Sequence, residues 1–396
     1  MFSGRLVFGL GVAQIVSWGS LIYSIAVLGG PMGTDLGVSN IIVFGAFSFS
    51  LVVSGLVGPR VGKLIDRVGG RRVLALGSLV AGASLCALAA APTVPAFILA
   101  WGVVGVGRAM TLYEAAFATL SQHTGKSFRS SVTAITLLGG LASTVFLPLS
   151  LVGLEHFGWR ATVAGFAAAE LLICLPLHLW CIPTGTGTHN APSDTPALVT
   201  EILPSNSSTI AFAALATSFA LSAFITSAIS VHVVNLLHSK DLSIASAVLV
   251  SSLIGPMQVV GRLVEFAFGR KHSSIVIGAA TLMLLVFSLI TLYLVSGHLT
   301  VALLFAASYG WANGVQTIVR GTMPAEFFGR TGYGHLIGRL AAPSFIARAV
   351  APVGLTLSAS AGLGFDMSVP LLIVAAVLAL VTYVISIRSM PQRVST

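Results

Sequence analysis

Charge is what this sequence has least of. Of 396 residues, 8% are charged and 56% are hydrophobic, and the mean hydropathy is +0.99. A water-soluble domain carries roughly 25% charged residues. A chain of this size with so few cannot cover a surface facing water, so its apolar side chains must face lipid. Cysteine is also scarce. Cys86, Cys174 and Cys181 all lie inside apolar runs, which excludes a secreted disulfide framework and a zinc spacing. Phosphate loops of the Gly-x-x-x-x-Gly-Lys-Ser/Thr type are missing, as are His-Glu-x-x-His and Gly-x-Ser-x-Gly. The Gly-rich run Gly102 to Gly107 lacks dinucleotide spacing and reads as close helix packing. No enzyme, no ATP motor and no cofactor is expected. The net charge of +9 is spread over short loops, so no nucleic-acid partner is expected either.

What is present is a series of long apolar runs. At roughly 20 apolar residues per crossing, the length accommodates about twelve membrane helices. They are read at 5–32, 41–61, 72–91, 95–121, 131–153, 160–182, 209–237, 243–268, 273–296, 299–322, 334–361 and 367–388. The N-terminus has Arg5 and then a long apolar stretch without a small-residue cleavage site, so it reads as a retained first helix. The segment 183–208 is rich in Pro, Gly, Ser, Thr and Asn and reads as a linker. It divides the chain into an N-terminal six-helix bundle, 1–182, and a C-terminal one, 209–396. With both termini in the cytoplasm, thirteen Lys and Arg fall on that side, and only Arg160 and Lys240 on the other. That is a strong positive-inside bias.

Charge does gather in one place. Gly62-Lys63-Leu64-Ile65-Asp66-Arg67-Val68-Gly69-Gly70-Arg71-Arg72 joins the second span to the third. An echo follows 199 residues later: Gly261-x-x-x-Glu265 ends the eighth span and is followed by Gly269-Arg270-Lys271. A parallel duplication of a six-helix unit produces this pattern. Asp66 stands at a helix C-terminus, where the macrodipole repels a carboxylate. It therefore needs an outside partner. The candidates are Arg129, a neighbouring loop arginine, or the N-terminus of the eleventh helix near Gly332-Tyr333-Gly334, whose free N–H groups favour anions. The plainer alternative is a basic loop that only sets topology.

Gly62, Asp66, Arg67, Gly69, Arg71 and Arg72 resemble the Gly-x-x-x-Asp-Arg-x-Gly-x-Arg-Arg loop of the major facilitator superfamily. Gly158-Trp159-Arg160, Pro324-Ala325-Glu326 and Gly329-Arg330 are similar to stretches common there. The resemblance implies an all-α membrane protein in the bacterial cytoplasmic membrane, with two six-helix bundles that rock about a central site and act as a monomer. It also implies that Gly62, Asp66, Arg67, Arg71, Gly261 and Glu265 serve an inner gate. The first span, from Trp18-Gly19 to Pro31, resembles bacterial monocarboxylate and oxalate–formate porter relatives. The antiporter signature of the fifth span is absent: Gly139-Gly140 is there, with Pro148 at a distance.

Ionisable groups at mid-bilayer are costly and mark pathways or sites. Arg108 lies on the fourth span, which the resemblance makes a cavity helix. It reads as an anion-binding cation or as a structural arginine. Glu114, six residues on, is about 120° away on a continuous helix, so the two do not share a face. It is a candidate proton carrier. Arg348 on the eleventh span is a third candidate, and Arg262 and Arg320 read as snorkelling or local pairs. Glu170 has no assigned role. His232 on the seventh span reads as a substrate or proton group, or as a hydrogen-bonded structural histidine. Gln14, Trp18 and Tyr23, with Tyr309, Trp311, Asn313 and Gln316, are candidates for a polar-aromatic lining. Cys174 and Cys181 share a helix face and could bind a metalloid such as arsenite, or simply pack. The resulting expectation is a proton-coupled carrier of a small organic anion such as a monocarboxylate. A drug or metalloid exporter is the alternative within the class, and a non-transporting receptor or scaffold the alternative outside it.

Overall fold

The computed structural model describes residues 2–184, 206–358 and 364–389, and these are almost entirely helical, with no strand among them. The twelve expected spans appear in order. The first, α1, runs from Phe2–Trp18 through a π segment, Gly19–Tyr23, to Ile25–Leu36. Next come α2 (Asn40–Val68), α3 (Gly70–Ala90) and α4, which is broken into Val94–Thr111 and Tyr113–His123. The fifth, α5, spans 128–157, and α6 spans 159–181 with a π segment at Glu170–Cys174. The second half holds α7 (Asn206–His238), α8 (Ile244–Phe268), α9 (Ser274–Tyr293), α10 (Leu299–Phe328), α11 (Tyr333–Ser358) and α12 (Gly364–Arg388). Most of the expected linker lies outside the described residues.

Two compact units form. The first comprises Met1–Gly187 together with Pro324–Phe345, and the second Thr188–Met323 with Ile346–Thr396. The end of α10 and the first turns of α11 thus pack with α1 to α6. Among the described residues, nine stretches are long and apolar enough to cross a membrane, and large apolar side chains such as Leu99, Leu172 and Leu371 face outward along them. The longest stretch, Gly125–Cys181, is two helices joined at Gly158, whose φ of 76° and ψ of 167° lie outside the helical region. Glycine tolerates that left-handed φ, and the chain reverses there to begin α6.

The next two residues hold that corner. Arg160 bonds Asp35 at the end of α1 (Nε 3.0 Å, Nη2 2.9 Å) and donates from Nη1 to the carbonyls of Ala89 and Ala91 at the end of α3. Trp159 Nε1 donates to the same Asp35 carboxylate at 3.1 Å, and the guanidinium lies 4.4 Å from the Trp159 ring. One side chain therefore ties three helix ends and caps carbonyls a helix end leaves unmet. Arg160→Ala should destabilise the protein by about 1–3 kcal/mol, since the pair is half exposed and the carbonyl bonds are charge-assisted. The expected readout is a lower melting temperature in detergent; an unchanged melt would mean water replaces these bonds at no cost.

Candidate functional site

The charged hinge meets α11. Gly334 N donates to Asp66 Oδ1 at 2.9 Å and His335 N to Oδ2 at 2.8 Å, so both carboxylate oxygens cap the first turn of α11. Of the three partners considered for Asp66, the helix N-terminus is the one in contact. The dipole that disfavours a carboxylate at the end of α2 is answered by the opposite pole of α11. The backbones are nearly in contact along this crossing. A Cβ on Gly62 would overlap the Gly334 carbonyl, and one on Gly338 would sit 2.6 Å from the Gly58 oxygen. Small residues allow such an approach inside a membrane, where dispersion drives association.

Three further contacts were not visible as motifs. His335 donates from Nδ1 to the Pro59 carbonyl at 3.1 Å. Arg330 Nη1 donates to Gly125 O at 2.5 Å while its guanidinium lies 4.8 Å from Phe128, which meets Tyr333 edge-on. Gln122 of α4 donates to Ile65 O at 2.9 Å and accepts from Gly70 N at 3.3 Å, so it holds both sides of the α2–α3 turn. Arg67 is exposed and Arg71 half-buried. Glu114 lines a crevice beside the latch with Ser54, Gly62, Gly334, Ile337 and Phe345. The crevice has room for about one water-sized molecule.

The 120° separation of Glu114 from Arg108 presumes an unbroken α4, and α4 is not unbroken. Leu112 is extended (ψ −170°), and Glu114 opens a new helical segment, where a carboxylate suits the dipole. The break exposes the Thr111 carbonyl, which accepts from Gln14 Nε2 at 2.7 Å. Gln14 Oε1 accepts from Trp18 at 3.1 Å. Trp18 lies 4.9 Å from Tyr113 and 6.1 Å from Tyr23, and Tyr113 stacks on Phe117 at 5.3 Å. Gln14 is therefore a buried brace between α1 and α4, and Tyr23 belongs to an aromatic cluster spanning the same two helices.

Arg108 is fully buried. Its Nε donates to Leu21 O at 3.0 Å, Nη2 donates to the same carbonyl, and Nη1 donates to Ser50 Oγ at 2.5 Å. The rings of Phe47 and Trp101 lie 4.5 and 5.5 Å from the guanidinium. Leu21 belongs to the π segment of α1, where the ordinary helical ladder is interrupted. All these partners are neutral. Among the described residues no carboxylate lies within ion-pair reach of Arg108.

The remaining candidates, the thiols apart, fall in the second unit. Gln316 is buried, accepting from Thr281 Oγ1 at 3.0 Å and donating to Ser222 Oγ at 3.5 Å, which makes it a brace across α9, α10 and α7. Asn313 accepts from Thr226 Oγ1 at 3.3 Å. His232 donates from Nε2 to Pro352 O at 3.1 Å. The Arg348 side chain is half-buried, and its carbonyl accepts from Ser227 at 2.8 Å. Gly261 lies against the Trp311 backbone, and Glu265 is buried near Gly269. Of the thiols, Cys174 donates to Ala13 O and Cys181 lies against Gly9, one turn nearer the N-terminus of α1. No cluster able to hold a metal occurs among the described residues.

Comparison with known proteins agrees with this architecture. No curated protein matches the sequence. Among solved structures, the chain is similar to the human organic anion transporter MFSD10 (TETRAN), with a TM-score of 0.73, 16% identity, and coverage of 97% of this chain and 99% of that one. At that identity the likeness shows the fold. The family model of the Major Facilitator Superfamily matches residues 7–266, more than half of the chain. By that match the chain belongs to the Major Facilitator Superfamily and is a multi-pass membrane transporter.

Proposed function

We propose that this protein is an alternating-access carrier that couples protons to movement of a small organic anion, such as a monocarboxylate. In this reading it lies in a bacterial cytoplasmic membrane with both termini inside, and acts as a monomer. Residues 1–182 and 209–396 form the rocking halves, and contacts of the Asp66–α11 type latch the inner gate. Arg67, Arg71, Gly261 and Glu265 contribute to gating. Glu114 and His232 are the proton carriers suggested by the sequence. Gln14, Tyr23, His232, Asn313, Gln316 and Arg348 join Arg108 as the substrate group.

The observation that carries the reading is Arg108. A guanidinium has five N–H donors. Here three are used, all on neutral acceptors. A fully buried cation without a counter-anion is expensive and favours an anion as its missing partner. A charge-assisted bidentate bond to a carboxylate would supply it. The aromatic cluster of Trp18, Tyr23, Tyr113 and Phe117 supports a second reading, export of aromatic or cationic drugs. The anion reading is preferred because a buried cation repels a cationic cargo.

Proteoliposomes with an internal pH dye test this directly. Small carboxylates should trigger a pH change that falls at least tenfold in Arg108→Gln, about 1.4 kcal/mol or more of lost anion stabilisation. No response of the unmodified protein to any carboxylate, with a response to aromatic cations, would overturn the anion reading in favour of drug export.

A further inference from the structure

One ionisable group inside the membrane takes no part in the reading above. Glu170 is fully buried in the π segment of α6. Ser20 Oγ donates to its Oε1 at 3.0 Å and Ser17 Oγ to its Oε2 at 3.3 Å. Both serines come from α1, and Ser20 lies in that helix's own π segment. Two single-turn π segments thus face each other across a carboxyl group. Such segments are uncommon and occur often at functional sites.

The surroundings hold no charge to balance an anion. Cys174, one turn along α6, is the titratable neighbour, its thiol 3.9 Å from Ser17 Oγ. His178 lies a further turn along and bonds Ser78 of α3 at 2.9 Å. The other ionisable groups of the packed helices stand towards their ends or away from this point: Arg5, Tyr23 and Asp35 on α1, Arg71, Arg72 and Cys86 on α3, Arg129, Glu155 and His156 on α5, Arg160 and Cys181 on α6. Among the described residues no cation is within ion-pair reach of Glu170. An isolated carboxylate in such a place is strongly disfavoured, and uptake of a proton removes the cost.

The same π segment also holds Arg108. Ser20 bonds Glu170 on α6, and the next residue, Leu21, offers its carbonyl to Arg108 on α4. We propose that Glu170 is a proton-binding site of this transporter, and that the α1 π segment links its protonation to the hold on Arg108. A protonated carboxyl donates one hydrogen bond, so it reverses a bond that a carboxylate can only accept. Reversal at Ser20 shifts the backbone that fixes the guanidinium. Proton binding and anion binding then share one π turn. This rests on the proton-coupled reading for its role in transport, but proton binding by Glu170 stands separately.

The test is therefore made in two parts. The full-length protein in lipid nanodiscs is titrated by infrared difference spectroscopy. A protonated-carboxyl component should appear that is lost in Glu170→Gln and retained in Glu114→Gln. Ser20→Ala keeps the carboxyl but removes a donor, and should shift the pH midpoint of that component. A spectrum unaffected by Glu170→Gln, or a midpoint unmoved by Ser20→Ala, would overturn the assignment whether or not a carboxylate substrate is found. In proteoliposomes, uptake driven by a proton gradient should fall at least tenfold in Glu170→Gln. Full gradient-driven uptake in that variant would overturn the link to transport.

Discussion

Gly62→Val is expected to slow transport sharply while leaving the chain inserted in the membrane. The added Cβ would meet the Gly334 carbonyl oxygen and carbon, and these are backbone atoms that cannot rotate aside. The overlap is relieved only by moving α11 away from α2. That separation opens the seam of Gly58, Gly62, Gly334 and Gly338, and draws the Gly334 and His335 N–H groups from Asp66. Dispersion falls off steeply with even a small gap, so the whole crossing weakens together. Transport should drop at least tenfold with an unchanged amount of protein in the membrane. Gly45→Val is the control. It lies on the same helix with nothing within 4 Å of its Cβ position, so only the helix's lipid face changes. Equal rates for Gly62→Val and the unmodified protein would mean that the closed seam is not part of the cycle.

Asp66→Asn is expected to unlatch α11 rather than unfold anything. Asparagine keeps one acceptor oxygen, but its amide group presents hydrogens where the second N–H points. One charge-assisted bond is lost outright, and the other loses its charge. Bonds to charged groups are worth about 1.5–3 kcal/mol each, and the carboxylate's interaction with the α11 N-terminus adds about 0.3–1 kcal/mol. Together, about 1.8–4 kcal/mol, these lower the ratio of latched to unlatched state by about 20- to 700-fold. Amide hydrogen exchange at Gly334 and His335 should accelerate accordingly, and transport should slow because one of the alternating states is depleted. Lys63→Gln, at an exposed position of the same hinge, should change neither. Exchange protection retained in Asp66→Asn would show that the glycine seam alone holds the crossing.

The residues that carried the membrane assignment act through composition and order, which a sequence displays directly. Few charges, twelve apolar runs and a basic hinge suffice to place helices, because a bilayer admits no other way of satisfying the backbone in this composition. The Asp66 requirement for an outside partner was also legible, since a helix dipole follows from the chain alone. Its actual choice of the α11 N-terminus was not. That contact joins residues 268 positions apart and needs glycine at Gly62 and Gly334 to be opposite one another.

The intramembrane candidates show the same division. Arg108 was identifiable as a costly buried cation, yet its partners are a backbone carbonyl and a serine hydroxyl from two other helices. Neither carries a sequence signal. The break at Leu112 placed Glu114 on a new helical segment and turned Gln14 into a brace, and no proline or glycine at position 112 announces it. Glu170 stood without a role in the sequence, and the partners that draw attention to it, Ser17 and Ser20 of the first helix, meet it only in the fold. Composition and periodicity determine which helices form and that lipid surrounds them, since those depend on local transfer free energy. Which polar groups meet inside depends on how twelve helices dock, and interruptions such as the π segments release carbonyls whose partners exist only once the helices are packed.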